Sequence, residues 1–425
     1  MKHFLLKGDL CYNVSQTEIR FLENHYLLCL EGKSAGVFSH VPTEYQDLPL
    51  LDYSGQLIIP GLVDLHTHAP QFENLALGFD LELIDWLDTH TFPEEARFSD
   101  PDYAKAVYEN FTSALCRSAT TRAVIFATQH VPATIELMEL LEASGMSAYV
   151  GKVNMDRNSP DSLREQGAET SLRDTRLWLD EISGKFQHIK PILTPRFIPS
   201  CSDALMKGLG DLAKAFSLPL QSHLSENKKE IAWVSELAPT AKSYGHAYHM
   251  HGLFGGDVPT IMAHCIWPTD DEFQLMQEQN IWVAHCPSSN SNISSGIAPI
   301  RRYLDAGIPV GLATDISGGT SLNMFAAIKD ALTLSKLYWR LIDDSAKPLT
   351  LAEAFYLATR GGGSFFGEVG SFEKGFDFDA LILTETTSQH AKPQTLPQRF
   401  ERAIHLHDMW EIKAKFVQGR SVDLG

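Results

Sequence analysis

Eight apolar runs typical of β-strands alternate with helix-like segments, and this alternation limits the possible folds more than any other feature of the sequence. The runs lie at residues 59–63, 121–126, 148–153, 190–194, 218–222, 260–263, 281–284 and 308–312. Alternating strands and helices predict parallel βαβ units. Eight such units over about 300 residues fit a (β/α)₈ TIM-type barrel, with a doubly wound open sheet as the alternative.

Both ends of the chain are β-rich. Short apolar segments lie at 4–6, 25–30 and 56–59, and residues 380–383 and 413–417 look like strands, the latter followed by a turn at 418–420. Chain termini often lie close together, so strands from both ends are expected to share one sheet. The predicted organisation is therefore α/β, with a small β-sandwich domain formed by residues 1–60 and 371–425 and a catalytic barrel at 61–370.

Charge and cysteine content narrow the class of protein. The 425 residues include 35 Lys and Arg against 53 Asp and Glu, a net charge of −18. Such a surface repels phosphate backbones, so no nucleic-acid partner is expected. No signal-peptide core and no run of about 18 apolar residues is found, which predicts a cytoplasmic protein without a membrane partner. The six cysteines lack CxxC spacing and are expected to be reduced thiols, and Cys265 and Cys286 to be small buried residues rather than ligands.

Polar side chains stand at the ends of four predicted strands, where a barrel of this type carries its active site. These are His66 and His68 after the first run, His223 and Glu226 after the fifth, His264 after the sixth and Asp315 after the eighth. Residues i and i+2 of a strand point to the same face, so the two histidines of the first strand can converge on one ion. The pattern therefore predicts a metal site.

Each of these residues also has a structural interpretation when it is taken alone. His66 and His68 could be core or surface histidines, His223 a hydrogen-bonded histidine, and Asp315 the N-cap of a helix. Their coincidence at four strand ends favours the metal site. Other hydrolytic motifs, including HExxH, the P-loop, G-x-S-x-G and the paired cysteines of cytidine-deaminase zinc sites, are absent from the sequence.

Longer motifs surround the strand ends. Residues 60–68 read Pro-Gly-Leu-Val-Asp-Leu-His-Thr-His and continue with Ala-Pro-Gln. Further motifs are Trp-Leu at 86–87, Thr-Phe-Pro-Glu at 91–94, Thr-Pro-Arg-Phe at 194–197, Ser-His-Leu-Ser-Glu-Asn at 222–227, His-Cys-Pro-Ser-Ser-Asn at 285–290 and Thr-Asp-Ile-Ser-Gly-Gly at 314–319. The first run is the signature of the amidohydrolase superfamily, and together the motifs resemble its guanine deaminase family over residues 55–385.

The resemblance implies a zinc-dependent aminohydrolase that binds one metal ion per subunit and forms a homodimer. The implied metal ligands are His66, His68, His223 and Asp315, a set that also suits iron. The implied catalytic residues are Glu226 as proton shuttle, His264 as a contact of the water or substrate, and Asp315 as acceptor of the water proton. No lysine stands at the mouth of the fourth strand, which argues against a binuclear site bridged by a carbamylated lysine.

The implied reaction is hydrolytic deamination of guanine to xanthine and ammonia in purine catabolism, through attack of a metal-bound hydroxide at C2. Arg196 is expected to recognise the purine carbonyl and Gln71 the ring edge, because an amide both donates and accepts hydrogen bonds. Phe197 and Trp86 complete the expected substrate-binding set. A structural salt bridge is the other interpretation of Arg196.

Two other functions stay open at this point. A related aminohydrolase or chlorohydrolase on the same barrel would act on 8-oxoguanine or another nitrogen heterocycle, such as a pterin or a triazine. A non-catalytic barrel would typically lack metal ligands, whereas all of the expected ligands are present here.

Overall fold

The computed structural model describes residues 3–386 and 392–425, so a few residues of the predicted end domain, 1–2 and 387–391, lie outside the described residues. Seventeen strands are formed within the described part. In chain order they are β1 (His3–Ser15), β2 (Glu18–Leu30), β3 (Lys33–Phe38), β4 (Leu50–Pro60), β5 (Leu62–His68), β6 (Thr120–Phe126), β7 (Ser147–Gly151), β8 (Val153–Asn154), β9 (Ile189–Pro191), β10 (Thr194–Pro195), β11 (Leu220–Leu224), β12 (Thr260–His264), β13 (Trp282–His285), β14 (Val310–Leu312), β15 (Ala380–Glu385), β16 (Trp410–Val417) and β17 (Arg420–Ser421).

Helices occupy most of the connections between the middle strands. They are α1 (Leu83–Trp86), α2 (Phe92–Glu95), α3 (Pro101–Arg117), α4 (Val131–Ser144), α5 (Ala168–Ile182), α6 (Asp203–Phe216), α7 (Lys228–Leu237), α8 (Tyr244–His249), α9 (Asp270–Glu278), α10 (Pro287–Asn292), α11 (Ile300–Asp305), α12 (Met324–Leu341), α13 (Leu351–Tyr356) and α14 (Leu396–His405). A five-residue π-helical segment, Leu87–Thr91, joins α1 to α2. Among the described helices, none is both long and apolar enough to cross a membrane.

The middle strands form two parallel four-stranded sheets, in the orders β5-β6-β7-β9 and β11-β12-β13-β14. A parallel bridge between Leu193 and Leu220 connects them on one side. On the other side, the N–H of Asp315, just beyond β14, donates to the carbonyl of His66 on β5 at 2.9 Å. The predicted parallel βαβ arrangement is confirmed, and it brings the carboxyl ends of these strands to one side of the molecule.

Strands from both ends of the chain form one seven-stranded sheet, in the order β17-β16-β15-β4-β1-β2-β3. Within it, β4 pairs in parallel with β1 and antiparallel with β15, where Ile59 lies opposite Leu381. Described strands from the two ends therefore lie side by side in one sheet. Its inner face packs around Phe4, Phe372 and Phe378, each of which is fully buried.

The apolar run 59–63 was predicted as a single strand, and this boundary is wrong. Its first residues end β4 in the end sheet, and β5 of the parallel sheet begins only at Leu62. Gly61 lies at the junction, where an added Cβ atom would approach Oγ1 of Thr121 to 2.1 Å. A side chain at this position would therefore force the two sheets apart.

A buried ion cluster joins the end sheet to the parallel strands. Nε of Arg122, on β6, lies 2.7 Å from Asp379, and its Nη2 lies 2.7 Å from Asp377. Residues 377–379 lead directly into β15, so the cluster fixes the point at which the chain returns to the end sheet. The side chain of Asp379 is fully buried, and its charge is balanced by the bidentate guanidinium.

Candidate active site

The structure brings together the histidines and the aspartate that stand at the predicted strand ends. His66 and His68 close β5, and their Nε2 atoms are 3.1 Å apart. Oδ1 of Asp315 lies 3.2 Å from Nε2 of His66 and 3.5 Å from Nε2 of His68. Nε2 of His223, on β11, lies 3.4 Å from Nε2 of His68. Four side chains from three strand ends therefore point their nitrogen and oxygen atoms at one small volume.

The protonation states of this cluster suit a cation. Nδ1 of His223 lies 2.6 Å from the carbonyl oxygen of Arg196, which can only accept, so Nδ1 carries the hydrogen and Nε2 presents a lone pair. Burial and the neighbouring His66 lower the pKa of His68 and of His223 well below the usual histidine value. Neutral imidazoles that face one another with lone pairs repel unless a cation lies between them. Three imidazoles and one carboxylate form a ligand set that fits zinc.

A buried aspartate supports the first and last of these strand ends. Oδ1 of Asp64 accepts hydrogen bonds from the N–H groups of His66 at 3.2 Å and Thr314 at 3.0 Å, and the Thr314 hydroxyl donates to Oδ2. Burial raises the pKa of Asp64 to about 6, although these hydrogen bonds oppose the shift. Asp64 thereby ties the backbone before His66 to the backbone before Asp315.

Glu226 and His264 lie beside the cluster. Oε2 of Glu226 is 3.3 Å from Nε2 of His264, and Oε1 accepts a hydrogen bond from Ser295 at 3.2 Å. Burial and the charge of Asp315 raise the pKa of Glu226 well above its usual value. Burial would also raise the pKa of Asp315, but the adjacent His66 and His264 hold it well below its usual value. Two neighbouring carboxyl groups are therefore biased toward opposite protonation states, as in acid and base pairs of hydrolases.

The backbone at two of these positions is strained. His264 has φ of 71° and Asp315 has φ of 49°, both in the left-handed region that non-glycine residues seldom adopt. Nδ1 of His264 lies 2.8 Å from Oδ1 of Asn290 on α10, which holds the ring in place. Such conformations persist where the surroundings fix them, and they concentrate at functional sites.

A pocket of about 430 Å³ opens onto the cluster. All four residues that were predicted to bind substrate line it, namely Gln71, Trp86, Arg196 and Phe197. Its apolar wall includes Leu83 and Leu87 from the segment around α1 and Ile293 after α10. Leu87 belongs to the Trp-Leu motif at 86–87, whereas the sequence had not indicated Leu83 or Ile293. An apolar pocket with a few convergent polar groups is typical of a small-molecule site.

Two buried glutamates of the site were missed at the sequence level. Glu95, at the end of α2, accepts hydrogen bonds from Gln71 at 2.8 Å and from Arg196 at 2.5 Å. Glu230, on α7, accepts from the N–H of Glu226 at 3.1 Å and from the Tyr244 hydroxyl at 2.7 Å. The Thr-Phe-Pro-Glu motif ends one residue before Glu95, and a regular helical period over 83–95 does not indicate that Glu95 is buried, because the π-helical segment Leu87–Thr91 interrupts it.

The structural interpretation of the cysteines is confirmed in part. All six are buried thiols. Cys286 lies closer to the site than expected, because its Sγ, a ring nitrogen of His264 and an oxygen of Asp315 all lie within 4.8 Å of one another. The salt bridge of Arg196 with Glu95, the structural interpretation of this arginine, is present, and Arg196 also lines the pocket.

Comparison with known proteins identifies the family. A model of the amidohydrolase family matches residues 57–418. The chain belongs to the amidohydrolase family. Its α/β architecture and the clustered histidines at its strand ends agree with this membership.

This amidohydrolase is similar to guanine deaminases along nearly its whole length. The guanine deaminase of Dictyostelium discoideum is 35% identical to it, and the alignment covers 98% of each chain. The guanine deaminase of Escherichia coli is 32% identical over 95% of this amidohydrolase and 92% of that protein. The crystal structure of guanine deaminase from C. acetobutylicum with bound guanine in its active site superposes with a TM-score of 0.96 at 44% identity, covering 99% of this amidohydrolase and 100% of that chain. The resemblance predicted from the motifs is confirmed.

Proposed function

We propose that this amidohydrolase catalyses the hydrolytic deamination of guanine to xanthine and ammonia, as a step of purine catabolism. The observation that carries the proposal is the joint placement of a four-residue ligand cluster, Glu226 and the Arg196–Gln71 pair around one pocket. The similarity to a solved guanine deaminase that holds guanine in its active site supports this choice of substrate.

The metal that fits the cluster is zinc, one ion per subunit, held by His66, His68, His223 and Asp315. Zinc supplies a nucleophile at neutral pH, because it lowers the pKa of a bound water to about 7. The tautomer of His223, fixed by the carbonyl of Arg196, keeps its Nε2 available as a ligand. Iron is the alternative ion for the same donor set.

The two carboxyl groups have separate tasks in this proposal. Asp315, with its lowered pKa, accepts the proton of the water that adds to C2 of the ring. Glu226, with its raised pKa, holds a proton that it donates to a ring nitrogen next to C2 as charge develops there. Glu226 then takes the proton of the hydroxyl group newly formed at C2 and delivers it to the departing amine as the C2 carbonyl forms. The proton held by Asp315 returns Glu226 to its acid form. His264, 3.3 Å from Glu226, contacts the reacting oxygen and steadies the tetrahedral carbon.

Substrate selection comes from polar groups that are buried and therefore costly to leave unpaired. Arg196 donates to the carbonyl O6 of the purine, and Gln71 contacts the ring edge. Phe197 packs against the ring, while Trp86, whose indole N–H is bonded to the Leu77 carbonyl at 3.0 Å, forms part of the apolar wall.

The proposal extends to the organisation of the protein. Residues 61–370 form a closed (β/α)₈ barrel, which the backbone contacts on both sides of the two parallel sheets support. Residues 1–60 and 371–425 form a small β-sandwich domain, supported by the shared seven-stranded sheet. The protein acts as a cytoplasmic homodimer on a small molecule, without a nucleic-acid or membrane partner.

The substrate proposal is tested with purified protein supplied with one equivalent of zinc. We expect guanine to be consumed with release of equal amounts of xanthine and ammonia, followed by ultraviolet absorbance and an ammonia assay. Turnover of 8-oxoguanine or a triazine without turnover of guanine would contradict the proposed substrate but not the proposed metal site.

The role of Glu226 is tested with Glu226→Gln. The amide has the shape of the protonated acid but cannot release a proton, so we expect loss of turnover with full zinc content. Loss of zinc in this variant would show that Glu226 is a ligand rather than a proton carrier. Glu94→Gln, which removes a nearby carboxylate bonded to Tyr103 and Arg97 outside the pocket, is the control.

A further inference from the structure

Glu95 lies between the two residues that select the substrate in the proposed function. Its Oε1 accepts a hydrogen bond from Nε2 of Gln71 at 2.8 Å, and its Oε2 pairs with Nη1 of Arg196 at 2.5 Å. All three side chains are buried, with 2 to 4% of each residue exposed. The carboxylate thus uses one oxygen for each partner. Because the site is buried, bulk water does not compete for these hydrogen bonds.

Glu95 and Ser317 together fix the orientation of the Gln71 amide. The backbone N–H of Ser317 donates to Oε1 of Gln71 at 3.0 Å, and a backbone N–H can only donate. On the opposite side, a carboxylate paired with a guanidinium can only accept. Turning the amide over would place oxygen against oxygen at Glu95 and hydrogen against hydrogen at Ser317. The two neighbours therefore require the same orientation.

This orientation determines what Gln71 can offer a ligand. One hydrogen of Nε2 is bound to Glu95, and the second is left for the pocket that Gln71 lines. Its oxygen already accepts from the N–H of Ser317, and the Ser317 hydroxyl lies 3.4 Å away on the same oxygen. The expectation that this amide both donates to and accepts from the purine is therefore replaced by a donor alone.

The same carboxylate holds Arg196. The guanidinium packs on the face of Phe92, 5.0 Å from its ring centre, while Nη1 is bound to Glu95. Arginine has five N–H donors and no acceptor, so any polar group that Arg196 presents to the pocket that it lines is a donor.

We propose that Glu95 is a positioning residue that fixes Gln71 and Arg196 as a pair of hydrogen-bond donors, so that the pocket selects a ring edge with two acceptors. This inference rests on the proposed function and specifies its selectivity. Guanine offers acceptors at O6 and at ring nitrogens, and a ring that places a donor or a carbon at either position leaves a buried N–H group unpaired.

The test compares Glu95→Gln with Glu94→Gln in the zinc-loaded protein. A glutamine at position 95 has a single oxygen and cannot accept hydrogen bonds from both Gln71 and Arg196. We therefore expect kcat/KM for guanine to fall about 10- to 100-fold. Glu94→Gln is expected to stay within about threefold of the wild type, because Glu94 bonds only groups outside the pocket. Zinc content is measured for both variants and is expected to match the wild type. The melting temperature of Glu95→Gln should fall, because the buried Arg196 loses its charged partner.

A second ligand separates positioning from a purely structural effect. 2-Aminopurine lacks O6 and therefore lacks the acceptor assigned to Arg196. It keeps the ring nitrogens that can accept from Gln71, so only part of the loss should remain, and its inhibition constant against guanine should rise in Glu95→Gln by several-fold less than kcat/KM for guanine falls. An equal loss for guanine and 2-aminopurine would overturn the assignment of a donor pair.

Gln71→Leu keeps the inference testable if Glu95→Gln does not fold. This variant leaves the Glu95–Arg196 pair intact and removes one donor, so guanine affinity should fall about 10-fold or more. If the wild type turns over guanine but Glu95→Gln or Gln71→Leu behaves like the wild type, this inference is overturned and the proposed function is not. Absence of guanine turnover by the wild type would overturn the proposed function, and this inference with it.

Discussion

His223 and Arg196 are joined by a hydrogen bond of 2.6 Å from Nδ1 of the histidine to the backbone carbonyl of the arginine. One residue of the metal cluster and one residue of the substrate pocket are therefore held at a fixed distance. The bond uses the backbone of Arg196 and leaves its side chain to Glu95 and the pocket. Changes to that side chain can consequently be separated from changes to the metal site.

Arg196→Lys should weaken substrate binding without affecting the metal. Lysine provides a point charge in place of a planar fork, so we expect KM for guanine to rise about 10- to 100-fold. Metal content should be unchanged, because the carbonyl that orients His223 remains. Steady-state kinetics and metal analysis check both statements, with Arg97→Lys on the protein surface as control. Loss of metal in Arg196→Lys would show that the Arg196 side chain also affects the metal site.

His264→Ala distinguishes a ligand from a neighbour of the metal. Its ring nitrogen is close enough to His66 and His223 for these three residues to form an alternative ligand group. We expect His264→Ala to keep about one zinc per subunit while kcat falls at least about 100-fold. His223→Ala, the matched variant, should lose the metal. Equal metal loss in both variants would assign His264 to the ligand set.

Glu230→Gln should change how stability depends on pH. Burial, with the charge of Glu226, raises the pKa of Glu230 from 4.5 to about 7. Between these values the folded state binds the proton more tightly than the unfolded chain, so the wild type loses stability as pH rises through this window. Glutamine cannot lose that proton, and Glu230→Gln should therefore gain up to about 3 kcal/mol relative to the wild type from about pH 4 to about pH 8.

The control for this prediction is Glu353→Gln, because Glu353 occupies the equivalent capping position of α13. Burial opposes the shift there, but hydrogen bonds from Arg301 and Thr350 lower the pKa of Glu353. The ionised Glu353 stabilises the wild-type fold, and this stabilisation is lost as pH falls. The stability of Glu353→Gln relative to the wild type should therefore decrease as pH rises. Urea denaturation at a series of pH values measures both slopes, and parallel slopes for the two variants would contradict the prediction.

Arg122→Ala should destabilise the junction between the end sheet and the parallel strands. Removal of the guanidinium leaves Asp379 buried without a partner for its charge, which costs about 3–5 kcal/mol. The free energy of unfolding from urea titration measures the loss. Arg173→Ala breaks an exposed pair with Asp174 and should cost less than about 0.5 kcal/mol. Similar losses in the two variants would show that the buried cluster contributes little.

The sequence predicted the parts of the fold and of the site that depend on local pattern. Alternating apolar runs located the parallel strands, and the position of His66, His223 and Asp315 at strand ends placed them in one cluster because parallel strands align their carboxyl ends. The run 59–63 was predicted as one strand because the residues on both sides of Gly61 are apolar, and no change of pattern within the run marks the passage from β4 to β5.

The parts that escaped prediction depend on contacts between distant residues. Gln71 was identified, but its orientation is determined by Glu95, 24 residues away, and by Ser317, 246 residues away. The π-helical segment Leu87–Thr91 shifts the helical register before Glu95, so a regular period does not place its side chain. Pairings of this kind arise only when the segments that carry them have packed together.

The pairing of β4 with β15 has a consequence for synthesis of the protein. The ribosome completes β1 to β4 early, yet the partner of one edge of β4 is made only after every strand of the two parallel sheets. Until then this edge presents unpaired N–H and C=O groups to whatever strand is nearby. Nascent chains that stall between residues 60 and 380 should therefore be more prone to aggregation than the finished protein.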